Sequence, residues 1–252
     1  MKHESIIDKN QTRIIFYIIQ DDREVMKAVI LAGGLGKRLK PLTDERPKPM
    51  IEVQNIPIIE WQIKWFKMHG INEIIICVGY LKEQIIDYIG SGSKFGVKVG
   101  YAVEEEPLGT GGALKNAESL LGGVREQGFF MINGDILTDL DPNRLHNGNY
   151  AALALVPLIS PYGIVELDQK SNILGFTEKP PIKDRWINAG VYYFTNEVFN
   201  FLPENGNIEV TALPTMAKGR KLKAVKYENS FWRSIDSHKD IEEAAKELKS
   251  TG

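Results

Sequence analysis

A chain of 252 residues, 43% hydrophobic and 25% charged, holds enough apolar mass for a core of ordinary size and leaves little room for extended disorder. A formal net charge of -2 removes the broad positive field of a nucleic-acid binder, and the single cysteine, Cys77, excludes an intrachain disulfide and argues against a cysteine-built metal site. The longest early apolar stretch, IIFYII at 14–19, is far shorter than the ~20 residues of a membrane span, and acidic residues follow it rather than a cleavage site. A cytoplasmic chain without membrane or nucleic-acid partners is expected.

Residues 1–25 read as an extension, since Met26 stands directly before the first strand pattern. An added strand, an ordered arm and the product of an upstream start codon fit equally well. From Met26 onward, β-branched runs alternate with stretches of helical period, which predicts βαβ units and a parallel sheet. MKAVILA is the first strand. IIEWQIKWFKMHG places Ile59, Ile63, Trp65 and Phe66 near one helical stripe ending at Gly70, NEIIICVG is a buried strand, and KEQIIDYIG is a second helix. KVGYAVE and GFFMING are further strands around the helical GGALKNAESLL. The later runs AALALVPL, GIVELD, ILGFTEK and INAGVYYF are short strands punctuated by Pro, Gly and Asn, and predict a mixed or antiparallel extension of the same sheet. DIEEAAKELK is a closing helix. The expected class is α/β, with a Rossmann-like, mixed but mostly parallel central sheet flanked by helices. Without repeats or a linker, residues 26–252 are expected to form one domain of two lobes around a cleft.

The stretch LAGGLGKRLKPLTDERPKPM is the first to carry chemistry. Gly33, Gly34 and Gly36 let the backbone after a strand approach an anion, while Lys37, Arg38 and Lys48 supply positive charge. A plain structural turn competes with this reading. The pattern lacks the Gly-Lys-Ser/Thr ending of a P-loop and the Gly-x-Gly-x-x-Gly dinucleotide spacing. Lys48, between Pro47 and Pro49, sits on a backbone stiffened by two fixed φ angles.

This stretch, followed in order by EEEPLGTGGAL, NGD, GFTEKP and INAGVYYF, resembles the sugar-1-phosphate nucleotidylyltransferases over roughly residues 26–248. The resemblance implies the nucleotide-diphospho-sugar transferase fold, with a nucleotide-binding half at about 26–140 and a sugar-binding half at about 141–240. It implies that Leu31, Ala32, Gly33, Gly34 and Gly36 line the nucleotide, with Arg38 and Lys48 on the phosphates. It further implies that the nucleobase lies against Glu104 and Gly109. Asp135, at the end of the strand FFMING, is implied as a ligand of Mg2+, a role that suits a carboxylate at the carboxyl edge of an α/β sheet. For the sugar phosphate it implies Gly163, Glu178, Lys179 and Asn188, with Lys179 pairing the 1-phosphate.

The second metal aspartate of that family follows a tryptophan by two residues, where FWRSIDSHKD places Ser234. Asp236 lies two residues further on, and in extended backbone it would face the same way. It is the expected second ligand; loss of that ligand, leaving a weak enzyme or a regulatory subunit, is the alternative. The histidines His3, His69, His146 and His238 lack ligand spacing and read as structural or solvated.

The expected activity is transfer of a nucleoside monophosphate from a nucleoside triphosphate to a sugar 1-phosphate. An ionised Glu104 only accepts hydrogen bonds, which suits guanine and, less well, cytosine. EEEPLGTGGAL is most similar to the mannose-1-phosphate and heptose-1-phosphate guanylyltransferases, so GTP with mannose 1-phosphate or a related hexose or heptose is favoured. FWRSID speaks for CTP with glucose 1-phosphate, and a non-catalytic subunit sensing nucleotide-sugar is the third reading. A carboxyl-terminal acyltransferase is not expected, because hexapeptide repeats are absent. A homo-oligomer is compatible with everything above.

Overall fold

The computed structural model describes residues 26–122, 128–146 and 150–248; the expectations for residues 1–25, including His3, lie outside them. Six of the expected strands, β1 (Lys27–Leu31), β4 (Glu73–Val78), β5 (Lys98–Val103), β6 (Phe129–Asn133), β8 (Ala151–Ile159) and β11 (Pro181–Phe194), all enter one sheet. With β12 (Lys223–Lys226) at one edge, the sheet has seven strands in the order β12-β8-β11-β6-β1-β4-β5. Only β11 runs against its neighbours.

The parallel strands read as unbroken apolar runs because both faces of the sheet are covered. Side chains alternate in period two between them: Ala28 and Ile30 enter one core with Ile74, Ile76, Phe130 and Ile132, whereas Val29 enters the other with Ile75, Cys77, Phe129 and Met131. Helices α1 (Ile58–Met68) and α2 (Lys82–Ile89) close the first face through Ile59, Ile63, Phe66 and Ile85. Helices α3 (Gly109–Asn116) and α4 (Ala212–Lys218) close the second through Leu114, Leu213 and Met216. The amphipathic α5 (His238–Leu248) seals a smaller cluster with Leu39, Val53, Leu137 and Ile235. Cys77 is fully buried, and burial followed by the charge of Glu104 pushes its thiol far above the ordinary range, so it is an inert core group. No helix among the described residues is long and apolar enough to cross a membrane.

Two expectations are corrected. GIVELD and ILGFTEK do not extend the main sheet: β9 (Ile164–Leu167) and β10 (Ile173–Thr177) pair only with each other, in a hairpin whose side chains are mostly exposed. A hairpin satisfies its own ladder, so short alternating strands need not join a larger sheet. The third helix stops at Asn116 and continues as a 3-10 turn over Glu118–Leu121. Several short elements were not anticipated. α4 tolerates Pro214 because the proline falls in its first turn, and β12 is an edge strand with lysine at both ends. The remaining strands are a β2 (Glu52–Val53) and β3 (Ile56–Pro57) hairpin, and a ribbon of β7 (Ile136–Thr138) with β13 (Trp232–Ser234).

From β1 the chain winds outward to β4 and β5, then returns to place β6 on the other side of β1. That reversal opens a crevice beyond the carboxyl ends of β1 and β6, where open α/β sheets bind ligands. Its floor is tight. The Gly134 N–H donates to the Leu31 carbonyl at 2.9 Å, and a Cβ on Gly134 would stand 2.3 Å from that oxygen. Gly134→Ala is therefore expected to destabilise the fold by about 1–3 kcal/mol in denaturant titration, whereas Gly34→Ala, whose Cβ would meet nothing within 4 Å, should stay within about 0.5 kcal/mol.

Candidate active site

The glycine-rich turn after β1, the start of α3 and the loop after β6 enclose a cleft of about 420 Å³. Leu31, Ala32, Gly33, Gly34, Gly36, Lys48, Glu104, Gly109 and Asp135 all line it, so the nucleotide-side residues expected from the sequence do converge. Lys37 joins them; Arg38 does not.

Each part of the turn has a local cause. Gly36 has a φ of +60°, and its carbonyl accepts from the Leu39 N–H and the Thr43 hydroxyl, which bends the chain into a 3-10 turn over Lys37–Leu39. Pro47 and Pro49 are buried on either side of Lys48, and the Met50 N–H closes back on the Pro47 carbonyl at 2.8 Å. The lysine is thus held on a rigid turn and extends inward with only 12% of its side chain exposed.

Lys48 Nζ donates to Asp135 Oδ2 at 2.6 Å and to Asp236 Oδ1 at 2.9 Å. Arg38 Nη2 lies 2.9 Å from the same Asp236 oxygen, but at 76% exposure that pair is heavily screened. Burial works against the charged Asp236 carboxylate; Lys48, the Ser234 hydroxyl and Arg38 outweigh it and hold the group below its ordinary value. Ser234 Oγ donates to Asp236 Oδ2 at 2.9 Å, so the two residues face the same side, as extended backbone requires. The cause of the Asp135–Asp236 encounter is the β7–β13 ribbon. Asp135 immediately precedes β7, Asp236 follows β13 after Ile235, and the Ile235 N–H donates to the Asp135 carbonyl at 2.9 Å.

At the other end of the cleft Glu104 is 7% exposed and accepts the Leu108 N–H at 3.1 Å. Burial raises its carboxyl above the ordinary value, partly opposed by that hydrogen bond. A Cβ on Gly33 would stand 2.6 Å from Glu104 Oε1, so Gly33 makes room for this carboxylate as well as for any ligand. A raised carboxyl contributes stability that is fully present below the unfolded value and lost as pH rises through the folded one. Glu104→Gln, which keeps the acceptor and removes the charge, is accordingly expected to raise Tm at pH 8, with the gap closing as pH falls toward 4, near the ordinary glutamate value of about 4.3; scanning calorimetry at both pH values reads it.

Gly109 has a φ of +73°, and a Cβ there would meet Asn207 Oδ1 and the Gly206 backbone at 2.7–2.8 Å. The loop over Gly206–Asn207 therefore accounts for this glycine. Asn207, Thr110 and Asn133 also line the cleft and were missed as site residues. Asn207 is exposed, and its Oδ1 accepts the Thr110 N–H at 3.3 Å. Only Asn133, inside NGD, carried a sequence signal.

The expected sugar-side residues lie outside this cleft. Gly163 and Glu178 face each other at the mouth of the β9–β10 hairpin, where a Cβ on Gly163 would stand 3.0 Å from Glu178 Oε2. Lys179 is exposed with a φ of +46°. Asn188, half-buried, is engaged within its own strand: Nδ2 donates to Tyr192 Oη at 2.7 Å and Oδ1 accepts the Gly190 N–H at 2.9 Å.

Residues 27–251 match the family model described as nucleotidyl transferase. The chain belongs to this family. A D-glycero-alpha-D-manno-heptose 1-phosphate guanylyltransferase of Campylobacter jejuni is 38% identical over 178 residues, covering 69% of this chain and 78% of the relative. The mannose-1-phosphate guanylyltransferase catalytic subunit beta of Dictyostelium discoideum is 35% identical, covering 86% of this chain and 62% of its own. Several other family members extend to nearly twice the matched length, the chain spanning 51–53% of them. The crystal structure of HddC from Yersinia pseudotuberculosis complexed with GMP-PN superposes with a TM-score of 0.68 at 27% identity, over 89% of this chain and all of that one. Family members named for uridylyl and thymidylyl transfer match at 34% and 25% identity.

Proposed function

We propose that this chain transfers GMP from GTP to mannose 1-phosphate or a related hexose or heptose 1-phosphate, releasing pyrophosphate. Glu104 carries the choice of base. Held by the Leu108 N–H in the lining of the cleft, its carboxylate presents acceptors only, which match the N1–H and N2 amino donors of guanine and repel the carbonyls of uracil or thymine. The likeness to two guanylyltransferases supports the same choice.

The sugar-1-phosphate oxygen is already an anion and attacks the α-phosphorus in line, so alignment and charge stabilisation suffice and no histidine base is needed. Lys48 and Arg38 take the triphosphate, and Lys179 pairs the sugar phosphate. Asp135 and Asp236 fit a hard divalent cation: they are two carboxylates drawn to one ammonium at the cleft wall, and would hold Mg2+ through hard oxygen donors. Held there, Mg2+ would offset negative charge on the phosphate oxygens. Lys48, now paired with both carboxylates, would then be free to turn to the phosphates. The cytidylyl alternative draws support from Asp236 standing beside Asp135 after FWRS.

Pyrophosphate release from four nucleoside triphosphates, each against a panel of sugar 1-phosphates, is the direct test. GTP should give the highest kcat/KM; a higher value with UTP or dTTP would overturn the reading of Glu104, and one with CTP would establish the alternative.

A further inference from the structure

Gln62 sits on the inner face of α1 among Ile58, Ile59, Ile63 and Phe66, and is 2% exposed. An amide on an apolar stripe is costly to bury unless it is fully paired, and this one is not: Oε1 has no partner. Both hydrogens of Nε2 are used instead, donated to the carbonyls of Asn133 and Ile136 at 2.9 Å each. Turning the amide over would set its oxygen against two carbonyl oxygens, so the orphaned Oε1 is the consequence of bridging them. The bridged carbonyls flank Gly134 and Asp135. The backbone of this loop is therefore gripped from three sides: by β1 at Gly134, by Ile235 just after β13 at Asp135, and by Gln62 of α1 at Asn133 and Ile136.

We infer that Gln62 is a positioning residue, which acts through the 133–136 loop to aim the Asp135 carboxylate at the cleft. The inference rests on the reading of Asp135 as a cation and phosphate-side ligand. Without the amide, β1 and the ribbon still hold the loop, but nothing fixes it from the side of α1, and Asp135 loses its orientation relative to Lys48 and Asp236. Outer partners that orient a ligand are worth about 10–100-fold in metal affinity or activity.

The test compares wild type, Gln62→Met and Gln62→Glu after circular dichroism has established that each is folded. Methionine keeps the volume and removes the donor; glutamate keeps the shape but, even protonated, has a single hydrogen for two carbonyls. Both variants should show faster amide hydrogen exchange at Gly134, Asp135 and Ile136 than wild type, with β4 and α2 unchanged. Both should bind Mn2+ alone about 10-fold more weakly in a paramagnetic titration, and should lose kcat while keeping the KM for sugar 1-phosphate. Wild-type exchange in the loop and wild-type Mn2+ affinity in either folded variant would overturn the inference, whatever happens to Tm. If wild type itself fails to bind Mn2+, the metal reading of Asp135 falls, and the exchange rates still decide whether Gln62 holds the loop.

Discussion

Lys48→Ala is expected to lower kcat for pyrophosphate release by roughly 10²–10³-fold. Among the described cations at the cleft, Lys48 is the one held on a rigid turn with little solvent around it. A charge in that position is screened far less than exposed Arg38, and its value rises as negative charge gathers on the departing pyrophosphate. The same substitution leaves Asp135 and Asp236 without their shared counter-charge. Mn2+ binding in the absence of nucleotide should thus tighten in Lys48→Ala, because the ammonium no longer competes for the two carboxylates. Lysine-to-arginine replacement should not restore the rate fully, since a planar fork cannot reproduce one nitrogen lying 2.6 and 2.9 Å from two separate carboxylates. An unchanged kcat/KM in Lys48→Ala would remove this residue from the reaction.

The two aspartates should behave as a unit. Asp135→Ala and Asp236→Ala are each expected to slow turnover by about 10²-fold and to raise the Mg2+ concentration needed for half-maximal rate, while the double variant should be little worse than the poorer single. The reason is geometric: the β7–β13 ribbon brings both carboxylates to one point, so either loss dismantles the same pair. Ser234→Ala removes only a hydrogen bond to the far oxygen of Asp236 and should reduce the rate by less than about 10-fold. Calorimetry of nucleotide binding without metal gives an independent reading, since removal of a carboxylate should not weaken it. Normal activity and normal Mg2+ dependence in Asp236→Ala would sink the assignment of that residue and leave Asp135 with phosphates and water as the remaining donors.

Much of the fold could be read along the chain. The apolar runs KAVIL, EIIICV and FFMIN are strands buried on both faces, and the stripe of Ile59, Ile63 and Phe66 packs as its 3.6-residue period requires. The glycine-rich turn and the proline-bracketed Lys48 were legible for the same reason: turn geometry is set by φ restrictions a few residues long. Asp135 could be placed at a strand end from its neighbours alone. The sequence by itself therefore determined the parallel half of the sheet and much of the lining of the cleft.

Tertiary structure decided the rest. Nothing local tells GIVELD and ILGFTEK to form an isolated hairpin, or ILT and WRS, far apart in the chain, to pair and deliver Asp135 and Asp236 to one lysine. Asn207 reaches the cleft because its loop packs on Gly109, and Gln62 looks like one more polar residue on an amphipathic helix until the two carbonyls it bridges are in place. Periodicity reports which face of an element is buried, since that depends on residues two to four apart. Which short strands pair, and which buried polar group finds a partner, depends on contacts between distant segments that form only once the sheet has been assembled.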